Sequence, residues 1–99
     1  MYYSDDLIEE VRAANDVVDV ISSYVKLTKK GSSYFGLCPF HNEKSPSFSV
    51  SPGKQMYYCF GCGEGGNTIS FIMKYENYTF QEAVKYLADR AGIRLPEVE

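Results

Sequence analysis

Three cysteines and a lone histidine constrain this chain more than anything else in it. They read Cys38-Pro39-Phe40-His41, then seventeen residues, then Cys59-Phe60-Gly61-Cys62, a C-x2-H-x17-C-x2-C arrangement. Two residues between ligands let a tight knuckle aim both side chains at one point, and two knuckles supply four tetrahedral positions. Thiolate and imidazole donors suit Zn²⁺, whereas hard cations want oxygen. The spacing therefore predicts one structural Zn²⁺ held by Cys38, His41, Cys59 and Cys62, with no position open for a catalytic water. Two other chemistries compete. Cys59 and Cys62 form a C-x-x-C of the thiol-redox kind, but that reading leaves Cys38 and His41 without a role. An iron–sulfur cluster with one histidine ligand is the other. The odd cysteine count speaks against a disulfide framework, and with no basic start or apolar stretch in Met1-Tyr2-Tyr3-Ser4-Asp5-Asp6 secretion is not expected.

Ninety-nine residues make one ordinary domain, taken here as residues 1–99. An apolar share of 44% against 23% charged excludes wholesale disorder. No apolar run approaches the roughly 18 residues of a membrane span, so no membrane partner is expected.

The periodicity predicts helices at both ends and a small antiparallel sheet between them, an α+β fold. Ser4 caps a first helix with stripe residues Leu7, Ile8 and Val11, and Asn15 or Asp16 starts a second before Val17, Val18 and Ile21. Tyr24 to Leu27 reads as a short strand and Lys29 to Ser32 as a turn. Ser33 to Leu37 runs into the first knuckle. Ser47 to Ser51 alternates as a half-buried strand, Pro52-Gly53 turns, and Gln55 to Tyr58 returns into the second knuckle, a zinc β-ribbon layout. Gly63 to Asn67 reads as a flexible loop ending in an N-cap, followed by a helix from Thr68 to about Tyr75. Thr79-Phe80-Gln81-Glu82 is a capping box, and Phe80, Ala83, Val84, Leu87, Ala88 and Ala91 share one helical face that ends at Gly92.

Charge is unevenly spread. Residues 1–24 carry six acids against Arg12, whereas residues 25–58 carry Lys26, Lys29, Lys30, Lys44 and Lys54 against Glu43. A basic island between acidic flanks can attract phosphate although the whole chain, at −3, repels it. Alternation offers one solution for the strands: Phe48, Val50, Met56 and Tyr58 inward, and Ser47, Ser49, Ser51, Tyr57 and Tyr34 on an open face. Small residues, aromatic rings and lysines make a sheet on which bases stack while phosphates meet ammonium groups. The candidate nucleic-acid contacts are Lys29, Lys30, Tyr34, Lys54 and Tyr57. The competing reading makes these tyrosines ordinary residues at the edge of the core.

The run Gly36-Leu37-Cys38-Pro39-Phe40-His41-Asn42-Glu43-Lys44-Ser45-Pro46-Ser47-Phe48, and then Tyr58-Cys59-Phe60-Gly61-Cys62-Gly63-Glu64-Gly65-Gly66-Asn67, resembles the zinc-binding domain of bacterial DnaG-type DNA primases. Asp16 to Ile21 and Phe80 to Val84 fit too, so the likeness covers roughly residues 4–95. The resemblance implies the N-terminal module of a longer cytoplasmic enzyme. Its sheet would contact single-stranded template and help choose where an RNA primer starts. The polymerising site would lie in a following Toprim-type domain, of the same or a neighbouring molecule, and would need Mg²⁺. A C-terminal region, absent here, would meet the replicative helicase. Many relatives place Arg at the position of Ser32 and His at that of Tyr58; the first departure weakens a phosphate contact that Lys29 and Lys30 could make up, and any role the resemblance gives that histidine is not carried over.

Primer synthesis by this chain alone is not expected, because it shows no carboxylate cluster for Mg²⁺ and no phosphate-cradling glycine motif. The alternatives kept are a zinc module of a phage or mobile-element primase, and a protein-interaction adaptor stapled by zinc.

Overall fold

The computed structural model describes residues 3–40 and 46–95. Two short helices lead, α1 (Asp5–Ala13) and α2 (Val17–Ser22). Five strands follow: β1 (Thr28–Lys30), β2 (Ser33–Gly36), β3 (Phe48–Ser51), β4 (Met56–Cys59) and β5 (Gly65–Asn67). Helices α3 (Thr68–Glu76) and α4 (Phe80–Ala91) close the chain. The strands form an antiparallel meander in the order β1-β2-β3-β4-β5, so the α+β expectation holds.

Local chemistry sets the helix ends. Ser4 Oγ accepts from the Leu7 amide, and Asp16 accepts from the Val18 and Asp19 amides. Asn67 caps α3, and Asn77 ends it in the left-handed region at φ 59°. Thr79 and Glu82 complete the capping box of α4, and Gly92 terminates it. Asn15 caps nothing. It is buried between α1 and α4, where its amide nitrogen donates to the Val11 and Leu87 carbonyls at 2.8 and 2.9 Å.

One face of the sheet packs on the helices. Phe48 and Val50 of β3 meet Ile21 of α2, Phe71 and Ile72 of α3, and Val84 and Leu87 of α4 in a single core. Tyr57 lies inside it at 3% exposure, its ring 5.5 Å from those of both Phe48 and Phe71. Phe80 departs from the sequence reading of α4: it is exposed, and the buried stripe begins at Ala83.

The register corrects the assignment of the sheet faces. Val50 pairs with Tyr34 on one side and Tyr57 on the other, and Phe48 pairs with Gly36 and Cys59. Directly opposed residues share a face, so Tyr34 and Tyr57 belong to the helix side. Lys29 pairs with Tyr34 and takes that side too. The open face instead carries Phe35, Ser49, Tyr58 and Gly65 in one row, and Ser51, Met56 and Asn67 in another. Met56 and Tyr58, expected inside, are 47% and 45% exposed. Met, Tyr and Tyr are all apolar enough to be buried, so composition leaves the parity of β4 undecided. Cys59 decides it, because a residue held inward at 59 turns 57 inward as well.

Two boundaries also move. The strand expected at Tyr24 to Leu27 lies at Thr28–Lys30, which shortens the turn to Gly31, at φ 64°, and Ser32. The expected loop at Gly63 to Asn67 contains β5, which pairs with β4. Glycine disfavours strands, so β5 owes its form to its neighbour rather than to propensity.

Candidate metal centre and open sheet face

Each knuckle follows a strand, the first β2 and the second β4. In the second, the Gly63 amide donates to the Cys59 carbonyl and the Cys59 amide to the Glu64 carbonyl, both at 2.8 Å, and Gly63 takes φ 79°. Such a turn needs a residue without a side chain. It brings Cys62 back over Cys59 and toward Cys38. The three sulfur atoms lie within 4.8 Å of one another. Cys38 Sγ and Cys62 Sγ are 3.8 Å apart, the Phe40 amide donates to Cys38 Sγ at 3.4 Å, and Ser47 Oγ lies 3.7 Å from Cys59 Sγ. Cys38 and Cys59 are buried and Cys62 is exposed. The expected fourth ligand, His41, lies outside the described residues.

The surroundings split the thiols. Burial pushes the Cys38 thiol up to about 12, helped by the neighbouring cysteines and opposed by the Phe40 amide. Burial raises Cys59 as well, but the Cys62 amide, the Cys38 thiol, Ser47 and the Gly61 amide outweigh it and lower Cys59 to about 7. Three converging sulfurs, one held below the usual thiol range, suit a thiophilic cation such as Zn²⁺ and make up three of its four usual ligands.

The open face adjoins this centre. It lines a concavity of about 730 Å³ that includes Ser33, Ser49, Ser51, Lys54, Met56 and Tyr58. Lys30, paired with Ser33, and Lys54 are both exposed. Phe60, at 70% exposure, meets the Tyr58 ring edge-on at 5.0 Å. Of the five nucleic-acid contacts read from the sequence, Lys30 and Lys54 lie with this surface. Lys29 and Tyr34 take the helix side, and Tyr57, although it borders the concavity, is 3% exposed with its ring in the core. Met56, Tyr58 and Phe60, which the sequence reading did not place on the open face, are exposed on it or beside it. The parity set by Cys59 was the signal that could have found the first two.

A family model described as CHC2 zinc finger matches residues 3–99. The chain belongs to the CHC2 zinc-finger family. It is 56% identical over 94 residues to a DNA primase of Clostridium acetobutylicum, covering 95% of this chain and 16% of that protein. It is 58% identical over 92 residues to a DNA primase of Halalkalibacterium halodurans, covering 93% and 15%. A crystal structure of the zinc-binding and RNA polymerase domains of Aquifex aeolicus primase superposes with a TM-score of 0.86 at 50% identity, over 91% of this chain and 22% of that one. This CHC2 zinc finger thus spans about a sixth of the length of the primases it matches.

Proposed function

We propose that this domain is the zinc-binding, template-reading module of a bacterial DNA primase. One Zn²⁺ held by Cys38, His41, Cys59 and Cys62 would lock the two knuckles at one end of the sheet. The metal supplies folding energy and rigidity, since four protein ligands leave no site for a reacting water. The polymerising site and its Mg²⁺ belong to another domain of the longer protein, in the same molecule or a neighbour. The replicative helicase would be met by yet another region, and the setting is the bacterial cytoplasm.

The observation that carries the template-reading role is the open face. Exposed Met56 and Tyr58 line a concavity together with Ser33, Ser49, Ser51 and Lys54, Phe60 packs edge-on against Tyr58, and Lys30 pairs with Ser33 at its border. Bases stack on such rings without regard to sequence, phosphates meet the lysines, and serine hydroxyls both donate and accept toward base edges. A face of this kind holds a short unpaired strand in place while a primer start is chosen.

Titration of the domain with short single-stranded DNA tests the reading. Amide shifts should concentrate at Lys30, Ser49, Lys54, Tyr58 and Phe60. Neutralising two phosphates gives a slope of log K against log salt of about −1.4, and affinity no tighter than about 10⁻⁶ M at physiological salt. Shifts confined to α1 and α4, with those five residues silent, would overturn it.

A further inference from the structure

We propose that Lys74 is a positioning residue of the metal centre, joining its two knuckles from outside both. The inference rests on the zinc reading above. Lys74 belongs to α3, twelve positions beyond the last cysteine, and the ligand spacing gives no hint of it. Its ammonium has two partners. Nζ lies 2.7 Å from Glu64 Oε2, in the loop that closes the second knuckle. The same Nζ stands over the Phe40 ring of the first knuckle, 5.5 Å from its centroid, within cation–π range.

Each partner reaches a sulfur-bearing residue through the backbone. The Phe40 amide donates to Cys38 Sγ, and the Glu64 carbonyl accepts from the Cys59 amide. Phe40 is itself wedged against Phe48, Tyr57 and Phe71, with centroids 6.3, 6.1 and 5.6 Å away. A continuous path therefore runs from Cys38 through Phe40, Lys74 and Glu64 to Cys59. Apart from a metal, it is a route by which α3 ties one knuckle to the other. Lys74 and Glu64 side chains are 41% and 38% exposed, so the ion pair by itself is weak in water. Its worth lies in restraint: it holds two short segments at the spacing their ligands need, as outer groups around metals commonly do.

The test compares Lys74→Met, which keeps the stem and removes the charge, with Lys74→Arg and Glu64→Gln. Each 99-residue protein is loaded with Zn²⁺ for transfer to a chromophoric chelator, and separately with Co²⁺, whose visible bands report ligand geometry. Lys74→Met should release zinc about three- to tenfold faster, the scale of an exposed cation–π contact and ion pair lost together. It should also shift the Co²⁺ bands. Glu64→Gln should act in the same direction, the double variant should fall short of the product of the two, and Lys74→Arg should restore both readouts. If Lys74→Met does not fold, Glu64→Gln carries the comparison from the loop side. Wild-type release and unshifted bands in the variants overturn the inference while leaving the metal reading intact. A wild-type chain that gives no tetrahedral thiolate–Co²⁺ spectrum overturns both.

Discussion

A methyl group added at Gly65 would put Cβ 2.8 Å from Tyr58 Cδ1 and 3.0 Å from the Tyr57 carbonyl oxygen. The Tyr58 ring therefore lies across a strand position only glycine leaves clear. Gly65→Ala should push that ring aside and strain the β4–β5 pair, at about 1–3 kcal/mol, the usual scale of overpacking. Thermal unfolding and the Tyr58 ring resonances measure it. Adjacent tyrosines should then separate two roles. Tyr57→Ala empties a site among Phe48, Phe71 and Phe40 and should cost about 3–5 kcal/mol of stability. Tyr58→Ala removes a half-exposed ring and should leave folding nearly intact. It should instead cost about 1–3 kcal/mol of single-stranded DNA affinity, with little change in salt slope, because stacking releases no counterions. Equal effects of the two substitutions on folding would contradict the face assignment.

Elements bounded by chemistry with a fixed offset were legible in the sequence. The caps at Ser4, Asn67 and Thr79 and the αL glycine at Gly92 each act within a few residues of themselves, and so does the turn at Cys59-x2-Cys62. What was not legible depends on partners far along the chain. Nothing near Gly65-Gly66-Asn67 favours a strand, and β5 exists because β4 lies beside it. The inward turn of Tyr57 follows from Cys59 pairing with Phe48, eleven positions earlier. Gln55 is another such case. It sits at φ 54° in the β3–β4 turn, a costly place for a residue with a Cβ. Its side-chain oxygen accepts from the Val17 amide at 2.9 Å, while its nitrogen donates to Asp16 Oδ1 at 2.9 Å and to the Pro52 carbonyl at 2.7 Å. The strain is offset by pinning the turn that carries Lys54 to the start of α2. Gln55→Ala keeps the strain and loses the ties, so it should cost about 1–3 kcal/mol. Gln55→Gly loses the same ties but relieves the backbone and should recover about 1 kcal/mol of that. Urea midpoints of the two variants decide it; an alanine variant more stable than the glycine one would show that the positive φ carries no strain.

A chain of 99 residues has a thin core, and this one keeps two tyrosine hydroxyls neutral at the places where its layers meet. Tyr57 joins the sheet to α3. Burial, then the charges of Glu64, Cys38 and Cys62, push its hydroxyl up to about 12. Tyr24, just after α2, donates to Glu76 Oε2 of α3 at 2.9 Å and lies 2.7 Å from the hydroxyl of Tyr86 on α4. Burial first, and then those two neighbours, hold Tyr24 well above the usual tyrosine range. Both groups are harder to ionise folded than unfolded, where a tyrosine titrates near 10. Their contribution is therefore fully present below pH about 10 and is lost as pH climbs through the folded values. The expected outcome is a domain whose stability holds from neutrality to about pH 10 and then falls steeply toward pH 12. Its buried tyrosinate absorbance should appear together with the loss of helical signal rather than before it. Tyr24→Phe cannot ionise there and should flatten the fall. Tyrosinate absorbance that saturates near pH 10 while helicity is retained would show that neither hydroxyl is held by the fold.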